Sequence, residues 1–98
     1  MVISNRPELT HLEVGDSLKI LQINALAGTE MPLHHSTKEA VIVVQEGEAF
    51  LNAEGKEYFL EKGSTLLIPA NMEHSLKILE NFKAVAIMAK DSTIHFNI

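Results

Sequence analysis

Apolar residues fall in short segments along this chain, and turn residues separate them. That spacing predicts strands rather than helices. Leu18 to Leu26 reads as a strand, and Gly28 ends it. Ala40 to Val44 is rich in β-branched residues, which suit a pleated surface better than a helix. Glu48 to Asn52 and Lys56 to Leu60 flank Ala53-Glu54-Gly55, the pattern of a hairpin. Thr65 to Ile68 stops at Pro69, which has no N–H for a ladder. His74 to Leu79, Lys83 to Ala89 and Thr93 to Ile98 supply three more strands. The stretch from Asn81 to Lys90 is the one that resembles a helix, and its Val and Ile content and short length favour a strand. The predicted class is all-β.

Two segments, Ala40 to Val44 and Ala84 to Met88, are apolar at consecutive positions. A half-buried sheet alternates apolar with polar, so both faces of these strands are predicted to be covered. In a β protein of this size the second cover is most easily another sheet or a second subunit, and the expectation is a homodimer. The alternative is a monomer whose N-terminal strand covers that face.

Composition narrows the class. The 98 residues, 46% hydrophobic and 21% charged, suit one domain over residues 1–98 with a modest core. The net charge is −5 and Lys and Arg form no run. An acidic chain without a basic stripe excludes nucleic acid and anionic membrane surfaces as expected partners. Without cysteine there is no disulfide, thiolate metal site or cysteine nucleophile. MVISNRPE has no basic region followed by an apolar one, and no apolar run approaches membrane-spanning length. The expected location is cytoplasmic. Neither a Gly-x-Ser-x-Gly elbow nor a glycine-rich phosphate loop occurs.

The segment Gly63-Ser64-Thr65-Leu66-Leu67-Ile68-Pro69-Ala70-Asn71-Met72-Glu73-His74 carries a glycine, a proline and a histidine at fixed spacing. It resembles the second cupin motif, with Asn71 in place of a glycine. Asn tolerates a left-handed backbone better than most residues. Gly28 to Gly47, with His34-His35 inside it, resembles a degraded first cupin motif. The two motifs span about half the chain, and the short gap between them resembles the small single-domain cupins. The resemblance implies a double-stranded β-helix, the cupin jelly-roll barrel.

The family's metal cage resembles three histidines and one glutamate. Counting back from Gly47 puts Ala40 in the glutamate position. The His-x-His positions become Leu33 and His35, or His34 and Ser36, according to the register. Side chains of His34 and His35 point to opposite faces of a strand unless a bulge re-aims one. With one extra residue between Glu39 and Gly47, Glu39 turns inward. The candidate metal set is therefore His34 or His35, with Glu39 and His74. It would hold a divalent ion such as Fe, Mn, Ni or Zn. Ile42, Val44, Leu66, Ile68 and Leu76 are expected to line the barrel. Such a cavity suits a small ligand, largely apolar or weakly acidic.

Three functions follow as expectations. The first is a binding module for a small molecule, with or without a weakly held metal. The second is a metal-dependent enzyme, a dioxygenase or isomerase acting on a small metabolite. The third is a regulatory or stress-related dimer with a vestigial site. No catalytic residue is assigned.

Overall fold

The computed structural model describes residues 6–97. In chain order the strands are β1 (Glu8–Val14), β2 (Leu18–Ala25), β3 (Glu30–Ser36), β4 (Ala40–Ala53), β5 (Lys56–Glu61), β6 (Thr65–Ile68), β7 (His74–Ala89) and β8 (Ile94–Phe96). All pairings are antiparallel. The long strands β4 and β7 pair along most of their length and bend through two sheets. Their Ala40–Val44 and Ala84–Met88 halves join β6, β2 and β1. The other halves join β5, β3 and β8. The result is a curled jelly roll that encloses the core.

The sequence divides β4 and β7 into two segments each, and the chain keeps both continuous through a corner. Register shifts between Val44 and Ala49 re-aim β4 there. Its inward residues change from Ala40, Ile42 and Val44 to Ala49, Leu51 and Ala53. Gly47 makes the corner possible. Its φ is +85°, and a Cβ there would lie 2.1 Å from the Asn81 carbonyl oxygen. No other residue fits that approach. The β4–β5 hairpin has the predicted position. Ala53 pairs with Lys56, and Glu54 and Gly55 both have positive φ, as a two-residue type I′ turn requires.

Two strands have no counterpart in the sequence pattern. Every residue of β1 is exposed, because β1 is a sheet edge that buries no face. In β3, Pro32 and Leu33 interrupt the alternation. The predicted last strand is shorter than expected, and Ile98 lies outside the described residues.

The core takes its side chains from the inner faces, including Leu21, Ile23, Ile42, Val44, Leu51, Ile78 and Phe82. The outer face is also apolar at the segments noted above. Ile20, Ile87, Val41 and Leu67 form one cross-strand row. Val85 and Val43 lie beside each other in the next row, between Gln22 and Thr65. Val41, Val43, Val85 and Ile87 are only half buried, and Leu67 is 54% exposed. β1 extends the sheet sideways along β2 and leaves this face bare of described residues.

Candidate functional site

A bulge positions the first histidine. The register of β3 against β7 shifts between Met31 and His34, where Pro32 has no N–H to contribute. The bulge changes which residues point inward. Met31 is buried, and after the irregularity His34 and Ser36 are buried instead of Leu33 and His35. His34 then stands opposite His74 in the ladder. Their ring centroids are 4.1 Å apart and the planes are tilted by 60°. Phe96 of β8 packs on the His34 ring at 4.9 Å.

The loop before β7 is tied into the same place. Asn71 has φ +63°, the left-handed conformation expected of a residue in the glycine position. Its N–H donates to the Ser36 carbonyl at 2.7 Å. Met72 N–H donates to the Pro69 carbonyl at 3.3 Å, and the turn this closes around Asn71 leads into His74.

Both imidazoles are held in one tautomer. His34 Nδ1 donates to the Pro32 carbonyl at 2.6 Å, and His74 Nδ1 donates to the Met72 carbonyl at 2.8 Å. Each ring therefore keeps Nε2 as its acceptor when neutral. Burial pushes the His34 pKa down to about 4, and His74 and His35 nearby add to the fall against the pull of the Pro32 hydrogen bond. Burial also lowers His74, partly offset by its bond to Met72. Both rings are neutral at pH 7.

The two rings line a cavity of about 30 Å³ with Ser36, Ala40, Ile42, Ile68, Met31 and other apolar side chains. That is room for about one or two waters. Leu9 and Met31 also line a wider groove of about 580 Å³, together with Arg6, Pro7, Glu30, Pro32 and Phe96. The groove has the size of a small-molecule site.

The candidate residues separate into two groups. His34 and His74 come together inside. His35 lies on the other face of β3, its ring stacked on His95 at 5.2 Å. Glu39 is exposed, in the connection between β3 and β4, and the inward position beside it belongs to Ala40. Ile42 and Ile68 line the cavity. Val44 and Leu76 are buried in the core, and Leu66 packs against it, without lining that cavity. The pattern of the sequence gave no hint of Leu9 or Phe96. They come from an exposed edge strand and a three-residue strand, which have little periodicity to read.

A family model described as a cupin domain matches residues 23–90. The chain belongs to the cupin family. No curated protein sequence matches this cupin. Among solved structures, it is similar to a protein with a double-stranded β-helix domain from Klebsiella pneumoniae, at 16% identity and a TM-score of 0.87 over 100% of this chain and 90% of that one. It is also similar to the DMSP lyase DddQ from Ruegeria pomeroyi, at 22% identity and a TM-score of 0.85, covering 94% of this chain and 52% of the lyase. A salicylate 1,2-dioxygenase from Pseudoaminobacter salicylatoxidans matches at 18% identity with a TM-score of 0.83, over 93% of this chain and 30% of the dioxygenase. At these identities the likeness is one of fold.

The family implies a metal, and the inward residues of this cupin do not fit a resident one. Of the four cage positions, His34 and His74 offer imidazoles, Ser36 offers a neutral hydroxyl, and Ala40 offers nothing. Among the described residues, no three His, Cys, Asp or Glu side chains converge on one point. Three protein ligands are the usual minimum for a catalytic zinc ion. The backbone bonds that would orient ligating imidazoles are kept. Half of the donors are gone.

Proposed function

We propose that this cupin is a binding module for a small, largely apolar molecule that carries a hydroxyl or a weakly acidic group, held at the barrel mouth without a metal. The observation that carries the reading is the pair of neutral imidazoles, each locked through Nδ1 to a backbone carbonyl. Two Nε2 acceptors in an apolar wall favour a hydrogen-bond donor, and an acid that yields its proton there would leave an ion pair. The adjoining groove, with Leu9, Met31 and Phe96, suits the apolar body of the ligand.

The test is a binding screen by NMR with simple phenols, small aromatic acids and short alcohols, on wild type and His74→Leu. The expected result is a subset of donors that shifts the His34 and His74 ring signals and loses affinity in His74→Leu. A panel without a binder, or equal binding by the variant, would sink the reading. The metal-enzyme reading has its own check. Near-stoichiometric iron, manganese, nickel or zinc in untagged protein that disappears in His74→Leu would restore it.

The packing supports a second reading. The cavity beside His34 and His74 has only about 30 Å³, as a barrel kept for scaffolding would have. We infer a homodimer through the bare row of Ile20, Ile87, Val41 and Leu67, with a regulatory role for that assembly.

A further inference from the structure

The outer histidines, which the barrel does not use, suggest a second site. His35 of β3 and His95 of β8 are direct partners in the ladder. Their rings lie 5.2 Å apart, nearly parallel at 25°. His95 is exposed and His35 half buried. Two backbone bonds bracket the pair, Thr37 N–H to the Thr93 carbonyl and Asn97 N–H to the Leu33 carbonyl. The backbone separation of the two imidazoles is therefore fixed. His35 Nδ1 is buried and has no hydrogen-bond partner among the described residues. A buried polar atom left unpaired needs an explanation. Stacked rings aim their nitrogens in parallel planes, so a shared ligand requires each ring to turn about its Cβ–Cγ bond, a torsion that is soft for histidine. Asn97, two residues beyond His95, donates to the Glu73 carboxylate.

We propose that His35 and His95 form a surface site for a borderline divalent transition-metal ion, copper, nickel or zinc, that staples β8 to β3. Imidazole is a natural ligand for these ions, and copper binds most tightly among them. The site is separate from the barrel, because neighbouring residues on a strand face opposite ways. It is coupled to the mouth all the same. Phe96 follows His95 and packs on the inner His34 ring, so an ion that holds β8 also holds Phe96 in place. β8 is only three residues long and forms a sheet edge, where such a staple has most to add.

The experiment is titration of untagged protein with Cu2+, read by calorimetry and by copper EPR, on wild type, His95→Gln, His11→Gln and His74→Leu. Wild type is expected to bind one copper with two nitrogen ligands and to gain several degrees in Tm. His95→Gln is expected to lose about a hundredfold in affinity, since one imidazole no longer chelates with the other. It should also lose the Tm gain and show one nitrogen fewer in EPR. His11→Gln, on β1, should match wild type. His95 is exposed, so its variant will fold. Wild-type affinity in His95→Gln overturns the proposal, as does no binding in wild type. Binding that survives His95→Gln and is lost in His74→Leu also overturns it and moves the ion into the barrel.

Discussion

His34 and His74 are buried bases without a buried acid beside them. Their effect on stability follows from proton uptake. The unfolded chain takes up a proton on each histidine near the ordinary value of 6.5, while folded His34 does so only near 4. Between those values the unfolded state binds more protons. Stability is therefore full above about pH 6.5 and falls as pH drops toward 4, with a slope up to about 1.4 kcal/mol per pH unit per histidine. His74 shifts in the same direction. Denaturant melts at stepped pH should show this slope, and His34→Leu should remove its share of it. An unchanged slope in that variant would mean that other groups cause it. The site itself was half legible. The spacing of Gly63, Pro69 and His74 was enough to expect one imidazole, but the choice between His34 and His35 depended on a bulge at Pro32 and Leu33. Sequence alternation cannot count a bulge, because one inserted residue reverses every side chain beyond it.

At the scale of elements, glycine positions separate strain from contact. Gly47 combines positive φ with an approach to the Asn81 backbone that leaves no space for a Cβ. Gly63 also has positive φ, +90°, but a Cβ there would meet nothing within 4 Å. Gly63→Ala should cost about 1 kcal/mol of strain alone. Gly47→Ala should cost about 3 kcal/mol or more, because the two long strands must separate at the corner. Urea midpoints of the two variants test the difference, and similar midpoints would mean that the corner relaxes easily. Most strands were legible because their inner residues alternate, as in Leu21, Ile23 and Ala25 of β2. The continuity of β4 and β7 was not, since the corner around Glu46 and Glu48 is polar and reads as a turn.

At the scale of the whole molecule, the consecutive apolar residues of Ala40 to Val44 are half explained. One face meets the core, and the other carries Val41 and Val43 with no described strand across it. A dimer on this face should appear in sedimentation velocity, and Val43→Lys should shift it to monomer while the fold is kept. A wild type that sediments as a monomer at tens of micromolar would reject the dimer, and the face would then be a docking surface of another kind.

The sequence by itself determined the fold class, the family and the position of His74 in the second motif. Those depend on short-range spacing: alternation along strands, a proline at a strand end, an Asn able to adopt positive φ. Tertiary structure decided which histidine enters the barrel, that Ala40 rather than Glu39 takes the inward position, and that His35 meets His95 on the outside. Each of those is set by register between strands distant in sequence. Register is fixed only when whole faces are buried together, so a local pattern does not contain it.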